Sequence, residues 1–208
     1  MVQSQSARNI QLSDLRDQFG LRRTEDAAFF TEWASGLPKL SSAEYDRLSQ
    51  VRTHYLYLLE YQVLESIVKM VVLSPVLEIA GFYSPPFRVT GEVGVQVSAS
   101  DDNRLIRGNI DVLVVQQRLW VSVIEAKNSA FSLTAALPQT LSYLMAGAQS
   151  QAPLFGAITN GTEFIFIKLV GGSNPVYGLS NTFSLLNLGH DLQQVTQIFR
   201  RFGQLIAN

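Results

Sequence analysis

Gly108-Asn109-Ile110-Asp111-Val112-Leu113-Val114-Val115, a short connection, and Trp120-Val121-Ser122-Val123-Ile124-Glu125-Ala126-Lys127 decide how the chain is read. Both runs are apolar and β-rich, yet each places an acid where a buried strand ordinarily carries Val or Ile. The second adds a lysine two residues after its glutamate. Burying one carboxylate is costly, and burying two beside an ammonium is hard to explain by packing. A surface strand with a cross-strand salt bridge is the plain alternative.

Side chains alternate along a strand, so Val121, Val123, Glu125 and Lys127 share one face while Trp120, Ser122, Ile124 and Ala126 share the other. Glu125 and Lys127 then point the same way, about 6–7 Å apart. For Asp111 to join them, antiparallel pairing must set odd residues opposite odd ones, for example Val115 opposite Leu119. An odd-length connection or a bulge is therefore expected. Asp111 and Glu125 on opposite faces would remove the site.

Downstream, Ala135 to Ala146 reads as a helix with Pro138 in its first turn. Leu154–Thr159 and Glu163–Val170 flank Asn160-Gly161, the strongest short hairpin signal in the chain. Both strands are apolar at nearly every position, which predicts a sheet covered on both sides. A Gly/Asn/Pro loop at 171 to 175 leads to a short strand near Val176–Leu179. Leu192, Val195, Ile198, Phe199, Phe202, Leu205 and Ile206 then have the spacing of a helix that covers the sheet.

Upstream, residues 1 to about 23 read as a polar tail with one short helix at Leu12 to Phe19. Thr24 followed by Glu25 and Asp26 predicts a helix through Trp33, ending near Gly36 and Pro38. Ser41-Ser42-Ala43-Glu44 fits a capping box opening a long helix, with a core face at Leu48, Val51, Tyr55, Leu58, Leu59, Gln62, Val63, Ile67 and Met70. Tyr55, Tyr57 and Tyr61 read as packing. Ser74-Pro75 predicts the N-cap of a second short helix closing at Gly81. Phe87 to Thr90 and Glu92 to Val97 alternate as strands, and 98 to 103 is a polar loop. The order gives an α/β fold, a mixed sheet flanked by helices, with residues 1–60 as tail and helical extension and 61–208 as the main domain.

With 208 residues, 47% of them hydrophobic and 16% charged, the chain can bury a sizeable core. No apolar run reaches the length of a membrane span, and the start of the chain lacks the apolar centre of a secretion signal. With no cysteine there is no thiolate or disulfide chemistry, and the expected location is cytoplasmic. A net charge of −1 argues against coating nucleic acid by bulk electrostatics. A phosphate-binding surface must be local, and its candidate pieces are Arg22-Arg23, Arg104 with Arg107, Lys127 and Arg200-Arg201. His54 and His190 have no second histidine or cysteine at ligand spacing.

Two carboxylates with a backbone carbonyl nearby suit a hard divalent cation, which takes about six oxygens and keeps some of them as water or substrate phosphate. A lysine beside them can position the attacking water and stabilise charge on the phosphate. That is the minimum equipment for metal-assisted phosphodiester hydrolysis. Gln139 and Tyr143, four residues apart, share a helix face from which an amide and a phenol can reach a phosphate or the lysine.

Ile110-Asp111, then Glu125-Ala126-Lys127, then Gln139-Thr140-Leu141-Ser142-Tyr143 resembles the PD-(D/E)xK nuclease superfamily. The last pentad matches the Q-x-x-x-Y element of the subgroup that holds the N-terminal nuclease domain of type I restriction enzyme motor subunits and RecB-like nucleases. The resemblance spans about Glu65 to Val170, and Ile110 stands where the motif name has proline. It implies a restriction-endonuclease-like fold and an endonuclease of restriction or repair type that hydrolyses DNA with Mg²⁺ or Mn²⁺. Asp111, Glu125 and the Ala126 carbonyl would hold the metal, Lys127 would orient the water, and Gln139 with Tyr143 would contact phosphate. An acid on the helix before the sheet often completes such sites, and Glu65 is the candidate, with Glu60 and Glu78 as alternatives. Implied partners are DNA, a second copy in a homodimer, and a helicase or specificity subunit, with no membrane. A catalytically inactive module that keeps the fold and binds DNA or a partner subunit is the competing expectation.

Overall fold

A computed structural model describes residues 3–98, 104–114, 119–123, 133–148 and 152–207. In chain order the elements are β1 (Gln3–Ser6), α1 (Leu12–Phe19), β2 (Arg22–Arg23), α2 (Ser42–Leu58), α3 (Glu65–Val68), α4 (Ser74–Ala80), β3 (Val89–Ser98), β4 (Arg104–Val114), β5 (Leu119–Val123), α5 (Leu137–Gly147), β6 (Leu154–Thr159), β7 (Glu163–Val170), β8 (Val176–Leu179), β9 (Phe183–Ser184) and α6 (Asp191–Ala207). The strands form one mixed sheet along the path β1-β4-β5-β6-β7-β8-β2, with β3 also on β4 and β9 on β7.

The centre of the sheet follows from local chemistry. Gly161 adopts φ 89°, open to glycine at no steric cost, while the Asn160 Oδ1 accepts from the Thr162 and Glu163 amides at 3.0 and 2.8 Å. That turn sets β6 and β7 antiparallel. β6 is buried at every position, as its unbroken apolar run predicts. β5 and β6 are parallel and consecutive in the sheet, so the chain between them must cross over, and α5 is the helix in that crossover.

Helices cover both faces. On one, Phe155, Ala157, Phe164 and Phe166 pack with residues of α2, α3, α4 and α6, and the Phe155 and Phe202 rings stack at 4.2 Å. On the other, Leu154, Ile158, Ile167 and Leu169 pack with Leu15 of α1 and with Leu137, Leu141, Tyr143 and Leu144 of α5. α6 lays Leu192, Val195, Ile198, Phe199, Phe202 and Ile206 onto the first face, the apolar stripe its spacing predicts. Among the described residues no helix is long and apolar enough to cross a membrane.

Several expectations are corrected. The segment 24–36 forms turns rather than a helix. The Thr24 Oγ1 accepts from the Asp26 amide at 3.1 Å and the Asp26 Oδ1 from the Ala28 amide at 2.9 Å, local bonds that compete with a helical ladder. The long helix stops at Leu58 and resumes at Glu65, because the intervening chain turns Val63 into the core. Tyr57, Tyr61, Gln62 and Met70 are exposed, and only Tyr55 of the three tyrosines packs into the core, while Tyr57 and Tyr61 meet edge to face at the surface. Ser74 is not an N-cap: α3 runs through a π-helical turn, Lys69–Leu73, straight into α4, and Ser74 itself is helical at φ −60°, ψ −50°. The two short runs before the polar loop are one strand, β3, and β4 begins at Arg104. Residues 99–103 of that loop lie outside the described residues. The polar tail contributes β1, parallel to β4, and β2, parallel to β8.

Candidate functional site

β4 stands at a fork. One of its edges is lined by β3 from Leu105 to Val114. On the other, β5 pairs only with Val112, Leu113 and Val114, and β1 only with Arg104 to Arg107. Among the described residues neither strand pairs with residues 108–111 on that edge, and Asp111 is the first position past the last β4–β5 pair. β5 meanwhile stays with β6 as far as the Val123–Thr159 pair. The two strands that carry the motif therefore separate at Asp111.

Other features converge on the same end of the sheet. The Tyr55 Oη donates to the Asn160 carbonyl at 3.2 Å, and a Cβ on Gly161 would meet Tyr55 and Val68 Cγ1, so α3 sits over the β6–β7 turn next to the end of β5. Glu65 opens α3, where its Oε1 pairs with the Lys69 Nζ at 2.5 Å, the two side chains 34% and 27% exposed. Glu60 and Glu78 are exposed.

α5 begins at this end and returns across the sheet. Leu144 lies against Gly156, where an added Cβ would meet its Cδ1 at 3.1 Å, and Ala148 crowds Gly171 at the far end of β7. Gly156, Trp120 and Leu113 are cross-strand neighbours. Five residues of helix, about 7.5 Å, separate Leu144 from Gln139, and two residues of strand, about 6.6 Å, separate Leu113 from Asp111. Gln139 is thus level with Asp111 along the sheet. Its Nε2 donates to the Tyr143 Oη at 2.6 Å, while the Tyr143 ring is 1% exposed and packed in the core. Gln139 and Tyr143 share a helix face as their spacing requires.

The register corrects one expectation. Val112 pairs with Val121, Leu113 with Trp120 and Val114 with Leu119, so odd positions stand opposite even ones across a four-residue connection. Paired positions share a face, which puts Asp111 on the side of Trp120, Ser122, Ile158 and α5, and puts Val121 and Val123 on the side of Ala157, α3 and Glu65. Glu125, Ala126 and Lys127 lie outside the described residues. Among the described residues there is no group of three His, Cys, Asp or Glu able to hold a metal.

One position was not singled out from the sequence. Gly91 pairs with Val112 and Val93 with Ile110, so Glu92 stands across from Asp111. Only the pairing register reveals it. The basic candidates also separate. Arg200 is committed to Glu44 and to the Lys39 and Ile79 carbonyls, and Arg22 and Arg23 are exposed on β2 at the far edge of the sheet. Arg107 lies on the same face of β4 as Asp111, about 13 Å along the strand.

No protein-family model matches the chain, and no curated protein matches it in sequence.

Proposed function

We propose that the chain is a Mg²⁺-dependent DNA endonuclease of the PD-(D/E)xK superfamily, with the restriction-endonuclease-like version of its α/β fold. The observation that carries this reading is the position of Asp111 one residue past the last β4–β5 pair, at the end of the sheet where β5 reaches Val123, two residues before Glu125 in the sequence, and where α5 begins. Crevices beyond the carboxyl ends of parallel strands are where α/β sheets bind ligands.

The donor set fits the ion. Asp111, Glu125 and the Ala126 carbonyl offer only hard oxygens, as Mg²⁺ prefers, whereas Glu65, paired with Lys69 on the α3 face of the sheet, stands on the opposite side from Asp111 and drops out of the ligand set. When bound, the ion supplies charge stabilisation for the phosphate and a more acidic water. Lys127 orients that water, and Gln139 with Tyr143 holds the scissile or adjacent phosphate. Arg107 supplies a phosphate contact further along β4. Mn²⁺ serves in place of Mg²⁺. The partner is DNA. Double-strand cleavage calls for a homodimer or two events, a helicase or specificity subunit is a further partner, and the setting is cytoplasmic.

The β4–β5 register attaches a condition. Glu125 reaches the face of Asp111 only if one extra residue is accommodated between Val123 and Glu125, the effect of a β-bulge, a feature common beside active sites. With unbroken alternation the carboxylates separate, and the catalytically inactive module that binds DNA or a partner subunit is the better reading. Plasmid nicking with Mg²⁺ or Mn²⁺ decides between them. The parent protein should cut, and Asp111→Ala and Lys127→Ala should remain folded and not cut. Cleavage by Asp111→Ala would refute the assignment.

A further inference from the structure

We infer that Arg22 and Arg23, with the hydroxyls of Tyr177 and Ser13, form a binding site for the dianionic phosphate group of a phosphate monoester at the β2 edge of the sheet. The inference does not rest on the nuclease reading. Gly20 closes α1 at φ 68°, its amide donating to the Arg16 carbonyl while the Leu21 amide donates to the Leu15 carbonyl, so the chain turns tightly from the helix into β2. The Arg22 amide donates to the Pro175 carbonyl at 3.0 Å and the Thr24 amide to the Tyr177 carbonyl at 2.9 Å, which fixes the backbone of both arginines beside β8. Between α1 and this edge lies a cavity of about 260 Å³ whose lining includes Ser13, Arg16, Leu21, Arg22, Arg23 and Tyr177.

Two independent features of the cavity point to an anion. Arg16 is paired with Asp17 at 2.8 Å, whereas among the described residues Arg22 and Arg23 have no carboxylate partner. Two positive charges are therefore uncompensated. Tyr177 is only 6% exposed, yet among the described residues its hydroxyl has no hydrogen-bond partner. A buried phenol ordinarily finds one. Arg23 and Tyr177 are paired across β2 and β8 and so share a face. Burial raises the Tyr177 pKa and the Arg23 charge opposes that rise, so at neutral pH the phenol keeps its proton and can donate it to an acceptor.

Guanidinium groups grip phosphate oxygens through paired N–H donors, and a phenol and a hydroxyl can donate to the oxygens left over. Two unpaired arginines match the nearly two negative charges of a phosphate monoester, whereas a phosphodiester would leave one of them unbalanced. The cavity is smaller than the roughly 300–1,000 Å³ of sites that enclose a whole small ligand, so the phosphate end is the part that enters. The site is also remote from Asp111. β2 lies five strand spacings from β4, about 24 Å, and Tyr177 is level with Leu169 and Leu154, at the end of β6 opposite the Val123–Thr159 pair.

The test uses the full chain and inorganic phosphate at about pH 8, where the dianion prevails. Phosphate should raise the melting temperature in a saturable way, and sodium chloride of equal ionic strength should not. In calorimetry the double change Arg22→Gln with Arg23→Gln should weaken phosphate binding about tenfold or more, and the parent should bind dimethyl phosphate, a monoanion, about tenfold more weakly than phosphate. Tyr177→Phe should melt like the parent, since its hydroxyl serves no contact within the fold, and should bind phosphate about threefold more weakly or worse. It keeps the buried ring and carries the test if the double arginine variant does not fold. Parent-like phosphate binding by either variant, or a melting shift that chloride reproduces, would overturn the inference. Displacement of phosphate by a DNA duplex without terminal phosphates would assign the arginines to backbone diesters and overturn it equally.

Discussion

The Gln139 Nε2 lies 2.6 Å from the Tyr143 Oη, one helical turn along α5. The bond gathers an amide and a phenol at the border between the packed core and the end of the sheet where β4 and β5 part. Tyr143→Phe keeps the buried ring and removes only the hydroxyl, so stability should change by about 1 kcal/mol or less. Cleavage should fall by about tenfold or more if the pair holds phosphate. A thermal melt and a plasmid-nicking rate check both halves, and unchanged nicking would remove Tyr143 from the site.

Lys168 and Glu32 form an ion pair under the turns that replace the expected helix at 24–36. The Lys168 Nζ meets the Glu32 Oε1 at 2.5 Å, with side chains 15% and 18% exposed, and also donates to the Phe29 carbonyl at 2.7 Å. Removing one partner leaves a nearly buried charge alone. Lys168→Met should cost about 3–5 kcal/mol in urea denaturation, and the double change Glu32→Leu with Lys168→Met should recover much of that loss.

Gly161 fixes the β6–β7 turn against α2 and α3. Alanine there is strained by its φ of 89° and places a methyl group against the Tyr55 hydroxyl and Val68. Strain of this kind costs about 1–3 kcal/mol. Melting should drop by about 2–4 °C for each kcal/mol lost. A melt within 1 °C of the parent, on the order of the measurement error, would show that the turn relaxes freely.

Glu44 joins the first turn of α2 to α6. Hydrogen bonding from Arg200 is the largest cause holding its carboxyl below the ordinary range, burial opposes it, and the Ser41 amide and hydroxyl add to the lowering. A depressed folded pKa gives stability that is present above the unfolded value of about 4.3 and lost as pH falls through the folded one. Glu44→Gln should therefore destabilise at pH 7 by on the order of 1 kcal/mol and have little effect at pH 2. Equal losses at both pH values would assign the effect to packing.

What was legible in the sequence was local. The Asn160-Gly161 turn, the Ser41/Glu44 capping box and the apolar stripe of α6 each depend on residues a few positions apart, and the structure has all three. The break after Leu58 has no glycine or proline to announce it, since it comes from Val63 turning into a core built by distant strands. Gln3-Ser4-Gln5-Ser6 has no alternation of its own and is a strand only because β4 offers an edge. The site divides in the same way. Asp111 and the Gln139–Tyr143 pair were readable as residue types at spacings. The odd-with-even register, and Glu92 across from Asp111, belong to pairing between strands that no single stretch encodes.

The two short strands near the start of the chain also set an order of events. Arg22 pairs with Val176 and Arg23 with Tyr177, a separation of roughly 150 residues, while Gln3 pairs with Arg104. During synthesis Arg22 and Arg23 must therefore wait for Val176 and Tyr177, which follow every strand from β3 to β7, and that edge of the sheet stays open until they arrive. Closure of so long a loop is entropically slow compared with hairpin formation at Asn160-Gly161. Refolding followed by a probe near residue 22 should lag behind refolding followed in the core, with the edges of the sheet open to other chains in the interval.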